Sequence, residues 1–189
     1  MTSVCVIPAR YASSRLPGKP LALIAGKPMI QWVYEQAIKA VQIDRVIVAT
    51  DDERIKSAVV NFDGEAILTD PDLPSGTDRV AAAVQNIDAD IVVNLQGDEP
   101  FVEPELLDIL ILAFSNNDIQ MVTPIKKIES ENDLTDPTLA RVAKDVNNYA
   151  LFFTRSVIPY IRDFNNEKWL EKYTFYKHVG IYEIGRAHV

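Results

Sequence analysis

The chain has 189 residues, 48% apolar and 24% charged, with a net charge of −8 and a single cysteine. This balance belongs to a soluble globular chain that buries a substantial core, and it excludes collagen-like repeats, extensive disorder and a disulfide scaffold. The acidic charge disfavours nucleic acid and anionic membranes as partners. No apolar run approaches the roughly 18 to 20 residues of a bilayer span, and the N-terminus lacks a signal-peptide pattern. Cys5, His178 and His188 cannot supply a structural zinc set, so a reducing, cytoplasmic compartment is expected.

Short apolar runs alternate with helical stripes. Val4–Ile7 reads as a buried strand, followed by a stripe at Ile30, Val33, Tyr34, Ala37 and Ile38. Arg45–Thr50 reads as a second strand and Ile55, Ala58, Val59 and Phe62 as a second stripe. Glu65–Leu68 precedes a stripe from Val80 to Ile87, and Ile91–Leu95 precedes one from Leu107 to Phe114. Such alternation predicts an α/β fold, a mainly parallel sheet with helices on both faces. Beyond about residue 120 the pattern becomes β-richer, with strands expected over 121–127, 139–144 and 149–153 and turns at Asp136-Pro137 and Asn147-Asn148. No linker divides the chain, so residues 1–182 read as a single domain with an extension. Residues 183–189 (Glu-Ile-Gly-Arg-Ala-His-Val) break the pattern and match the in-frame translation of a common sequencing adapter. They are expected to be a non-native tail on a chain cut short at its C-terminus.

Charge is unevenly placed. Residues 1–34 carry Arg10, Arg15, Lys19 and Lys27 and no acid, against 15 basic and 27 acidic residues in the remainder. Ligands of parallel α/β sheets bind beyond the carboxyl ends of the strands. The loop Ile7–Pro20 leaves the first strand there with three cations among small residues, glycine and proline. Arginine forks and a lysine point charge suit neighbouring phosphates, although no phosphate-loop or dinucleotide-binding glycine pattern is present. Gln96-Gly97-Asp98-Glu99-Pro100 follows the fourth strand, so Asp98 is a suitable magnesium anchor or, alternatively, a cap for the helix opening at Pro104. Asp51, Asp52 and Glu53 read as helix-capping acids. Ser75-Gly76-Thr77 reads either as an N-cap or as a close-approach site for a nucleotide.

These blocks, with Pro74–Arg79, Tyr149–Arg155 and His178–Tyr182, together resemble the family of 3-deoxy-manno-octulosonate (Kdo) cytidylyltransferases, the CMP-Kdo synthetases, over the chain up to Tyr182. The resemblance implies a nucleotidyltransferase fold and the reaction CTP + Kdo → CMP-Kdo + pyrophosphate, which serves lipopolysaccharide assembly. It implies CTP binding by Pro8, Ala9, Arg10, Arg15, Lys19, Ser75 and Gly76, catalytic roles for Arg10, Lys19 and Asp98, Mg²⁺ on Asp98, and sugar contacts at Gln96, Arg155, His178 and Tyr182. It also implies a homodimer. From their chemistry alone, His178 and Tyr182 read equally as structural. Alternatives are a cytidylyltransferase for 8-amino-Kdo or another 2-keto sugar acid, or a catalytically inactive nucleotide-binding fragment. Family members continue past this point with further site residues, so the 189-residue chain is expected to turn over poorly.

Overall fold

A computed structural model describes residues 1–12, 16–116 and 118–185. The chain forms two compact units, one of residues 1–122 with the segment from Ile181, the other of residues 123–180. In the first unit, β1 (Ser3–Ala9) is followed by a small hairpin of β2 (Leu23–Ile24) and β3 (Lys27–Pro28), then α1 (Met29–Ala37) and β4 (Arg45–Thr50). Next come α2 (Glu53–Asn61), β5 (Ala66–Leu68), α3 (Gly76–Val84), β6 (Ile91–Leu95), α4 (Pro104–Leu112) and β7 (Met121–Val122). In the second unit lie β8 (Ile125–Lys127), α5 (Glu131–Thr135), β9 (Arg141–Lys144), β10 (Ala150–Thr154), α6 (Trp169–Lys172) and β11 (Tyr176–His178), before β12 (Ile181–Gly185) rejoins the first.

The first unit is built on a six-stranded sheet in the order β5-β4-β1-β6-β12-β7. β1 sits between β4 and β6, parallel to both, and β12 runs antiparallel to β6 and β7. Alternation along β1 explains the two covered faces. Val4 and Val6 pack with Ile47, Ala49 and Val92 beneath Val80, Ala83 and Val84 of α3. Cys5 and Ile7 point the other way, where α1 contacts β1, β4 and α4. The expected α/β architecture is thus present. α3 starts four residues before the apolar stripe because the Ser75 side chain accepts the Asp78 N–H at 3.1 Å, capping the helix there.

The run 121–127, expected as one strand, is two. Pro124 cannot donate to a ladder, and β7 joins the six-stranded sheet while β8 joins a second sheet, β10-β9-β11-β8. That second unit packs Ile128, Leu134, Trp169 and Phe175 into its own core. It is further held by Arg141, 2% exposed, whose guanidinium donates to the carbonyls of Asp133, Leu134, Asp136, Leu139 and Arg155.

Residues 183–185 of the expected tail pair in β12 with Val93 to Ile91 of β6, and 186–189 lie outside the described residues. Glu183 is fully buried, and neither carboxylate oxygen has a hydrogen-bond partner. Burial, with the Asp108 charge adding to it, pushes its pKa up from 4.5 to about 9. The carboxyl is protonated when folded but ionised when unfolded between pH 4.5 and about 9, so its contribution favours folding least at high pH. The contribution of this group to stability is expected to fall as pH rises through that window, by about 3 kcal/mol at pH 7. Denaturant titrations at pH 5 and pH 8 should show a larger loss in the wild-type chain than in Glu183→Gln, and an equal loss would contradict this.

Candidate active site

Three loops at the carboxyl ends of parallel strands close a cavity of about 480 Å³. The turn after β6 lies directly on the end of β1: a Cβ at Gly97 would stand 3.1 Å from the Pro8 carbonyl oxygen. A Cβ at Gly76, the first residue of α3, would stand 3.4 Å from Pro8 Cγ and 4.0 Å from Gln96 Oε1. Small residues at these positions let backbone approach backbone and leave room for a ligand.

Pro8, Ala9, Arg10, Lys19, Ser75, Gly76, Gln96 and Asp98 all line this cavity, so the structure gathers the residues that the resemblance selects on the first three loops. Arg15 lies outside the described residues. Lys19 opens a short 3-10 turn after Gly18 and places Nζ 2.5 Å from Asp98 Oδ2. Asp98 does not cap α4, whose N-cap is Glu103. Asp98 is the carboxylate that lines the cavity; beside it, burial and then the Asp98 charge push the Glu99 carboxyl up. Gln96 is oriented from below, its Nε2 donating to Asn94 Oδ1 at 3.0 Å.

Arg79 also lines the cavity, a role that sequence reasoning missed although the residue closes the Pro74–Arg79 block. It is 3% exposed and bonds Thr69 Oγ1, Asp70 O at 3.4 Å and Asp51 Oδ2 at 3.3 Å, so it ties the ends of β4 and β5 to α3. Asp52 has the capping role expected of it, accepting the Arg54 N–H at 2.9 Å; its bond to the Arg54 side chain holds its pKa below the usual carboxylate range.

The remaining expected residues lie elsewhere. Tyr182 sits on β12 opposite Asn94, half-buried, and is not part of the cavity lining; burial pushes its hydroxyl up. Arg155 and His178 belong to the second unit. The Arg155 guanidinium donates to Pro137 O at 3.2 Å and Thr138 O at 2.5 Å. His178 Nε2 lies 2.8 Å from Thr123 Oγ1, its ring edge-on to Phe153, and burial lowers its pKa, which favours the neutral imidazole. A separate cavity of about 640 Å³ in that unit, between Lys144–Val146 and Leu170–Tyr176, gathers none of the expected residues.

Among the described residues, no group of three or more His, Cys, Asp or Glu side chains could cage a metal. The donor set at the cavity is one accessible carboxylate, Asp98. That suits Mg²⁺, which takes one or two carboxylates and completes its shell with phosphate oxygens and water, and does not suit an all-protein site.

A mainly parallel sheet whose strand ends gather Arg10, Lys19, Arg79 and Asp98 around a nucleotide-sized cavity is the architecture of a nucleotidyltransferase. The cytidylyltransferase family profile matches residues 4–188, and the chain belongs to that family. It is 46% identical to the 3-deoxy-manno-octulosonate cytidylyltransferase of Thermodesulfovibrio yellowstonii, over 96% of this chain and 74% of the relative. It is 45% identical to the 8-amino-3,8-dideoxy-manno-octulosonate cytidylyltransferase of Shewanella baltica OS195, over 100% of this chain and 77% of the relative. Among solved structures it is similar to CMP:2-keto-3-deoxy-manno-octonic acid synthetase complexed with CTP, with a TM-score of 0.91 and 44% identity over 99% of this chain and 75% of the other.

The buried Asp51–Arg79 pair yields a stability test. Removing one partner strands the other, so Arg79→Ala should lower unfolding free energy by about 3 kcal/mol. In urea denaturation, the Asp51→Ala/Arg79→Ala pair should lose less than the two single changes together. Additive losses would show that the pair is not coupled.

Proposed function

We infer that the protein transfers CMP from CTP to Kdo and releases pyrophosphate. The observation that carries this reading is the meeting of Arg10, Lys19 and Asp98 on one cavity at the strand ends, in a chain 46% identical to an enzyme named for that activity.

Pro8, Ala9, Ser75 and Gly76 form an uncharged stretch of the cavity that suits the nucleoside, with the N-terminus of α3 beside it. Arg10 and Lys19 neutralise the triphosphate and stabilise the departing pyrophosphate. The anomeric hydroxyl of the sugar attacks the α-phosphorus as the bond to pyrophosphate breaks in line with it. Such transfer depends on positioning and charge neutralisation and needs no protein nucleophile. Cys5, fully buried, takes no part. Asp98 would hold Mg²⁺, and the bound ion would withdraw charge from the phosphates. We assign hydroxyl recognition to Gln96 and Tyr182, carboxylate recognition to Arg155, and a neutral hydrogen-bonding role to His178.

A second reading, transfer to 8-amino-Kdo, is favoured by the relative of that name, which matches the whole of this chain at 45% identity. We further propose a cytoplasmic homodimer. No helix among the described residues is long and apolar enough to cross a membrane. β10 forms a sheet edge on which Leu151, Phe152 and Phe153 are exposed and no charge stands guard, a surface that proteins ordinarily cover.

Pyrophosphate release with CTP and a panel of Kdo, 8-amino-Kdo and other 2-keto sugar acids should be highest with Kdo. Asp98→Asn should reduce the Mg²⁺-dependent rate on the order of 100-fold with the melting temperature unchanged. Unchanged turnover would remove Asp98 from the mechanism. By sedimentation, the wild-type chain should be a dimer and Phe152→Asp a monomer; a monomeric wild type would refute the assembly.

A further inference from the structure

We propose that Tyr11 is the positioning residue of the cation-bearing loop and that Arg54, on α2 and outside the cavity, is the clamp that holds it. The proposal rests on the CTP-binding reading above. Tyr11 is not part of the cavity lining, but it immediately follows Arg10, which is. Its carbonyl oxygen accepts the Gly18 N–H at 2.8 Å, which brings Gly18, and with it Lys19, back to the start of the loop.

The ring makes the second contact with the same glycine. A Cβ at Gly18 would stand 3.0 Å from Tyr11 Cε2 and 3.1 Å from Cζ, and the glycine holds φ at +68°. Any other residue there would be strained and would displace the ring as well. One side chain thus bears on two of the cavity cations, Arg10 by chain connection and Lys19 through Gly18.

Tyr11 is in turn held from α2. The Arg54 guanidinium carbon lies 3.3 Å from the Tyr11 ring centroid, a close cation–π stack. Arg54 is fixed by a two-point bond to Asp52, Nε to Oδ1 at 2.9 Å and Nη2 to Oδ2 at 2.6 Å. Asp52 also caps α2. The first turn of α2 follows β4, whose Thr50 is in register with Ala9 at the end of β1. The chain of contacts therefore runs from a capped helix, through Arg54 and Tyr11, to both phosphate-binding cations.

The test titrates CTP calorimetrically into the wild-type chain, Tyr11→Phe, Tyr11→Ala, Arg54→Ala and the Tyr11→Ala/Arg54→Ala pair, with melting temperatures for each. Tyr11→Phe keeps the ring and should bind within about twofold of wild type. Arg54→Ala should bind about threefold more weakly and Tyr11→Ala about fivefold or more, both with unchanged melting temperature. The pair should be no weaker than Tyr11→Ala, because Arg54 acts through the ring. In turnover assays the KM for CTP should rise while kcat holds. Wild-type affinity in Tyr11→Ala, equal loss in Tyr11→Phe, or an undiminished Arg54 effect without the ring would each overturn the proposal. Wild-type chain that fails to bind CTP would overturn the nucleotide reading, and this proposal with it.

Discussion

The close approach of the β6–α4 turn to the end of β1 is the constraint on which the site depends. With Gly97 against the Pro8 carbonyl and Gly76 against the Pro8 ring, loops far apart in sequence share one cavity wall. A side chain at Gly97 would press on that carbonyl from 3.1 Å, while Gly76 has ordinary contact distance to the ring, and the turn that carries Gly97 places Asp98 2.5 Å from Lys19. The chemistry of the site is therefore inherited from backbone packing before any charged group is considered.

The charges are arranged around that packing. An acid-free N-terminal segment brings its cations to an otherwise acidic protein, and Asp98 is the carboxylate set among them. Glu99 beside it is not part of the cavity lining, and burial and the Asp98 charge push its carboxyl up. Arg79 acts on the framework instead. Enclosed by Asp51, Thr69 and Asp70, it fixes the floor from which Ser75 and Gly76 rise.

The second unit solves its cohesion differently. Its apolar core is small, and Arg141 adds five backbone carbonyls gathered on one guanidinium. One of those carbonyls belongs to Arg155, whose own side chain donates to the Pro137 and Thr138 carbonyls. The residue assigned to the sugar carboxylate is thus held at both backbone and side chain by the same bend of chain. Glu183 in β12 is the counterexample, a buried carboxyl for which the sheet provides no partner.

Apolar periodicity made β1, β4, β6 and the helices between them legible in the sequence, because burial on both faces leaves a continuous run in strands and a 3.6-residue stripe in helices. Uneven charge singled out the Ile7–Pro20 loop, and the spacing of polar blocks after successive strands singled out Asp98 and Ser75-Gly76. The split of 121–127 at Pro124, the pairing of β12 with β6, and the place of Arg79 were not legible, because each depends on partners distant in sequence. The same holds for the Tyr11–Arg54 stack: neither residue follows a local pattern that names the other. Local sequence determined which elements form and which chemistry each strand end carries. Tertiary structure alone decided which of those ends meet, since meeting is set by backbone approach and side-chain packing between segments that have no local relation.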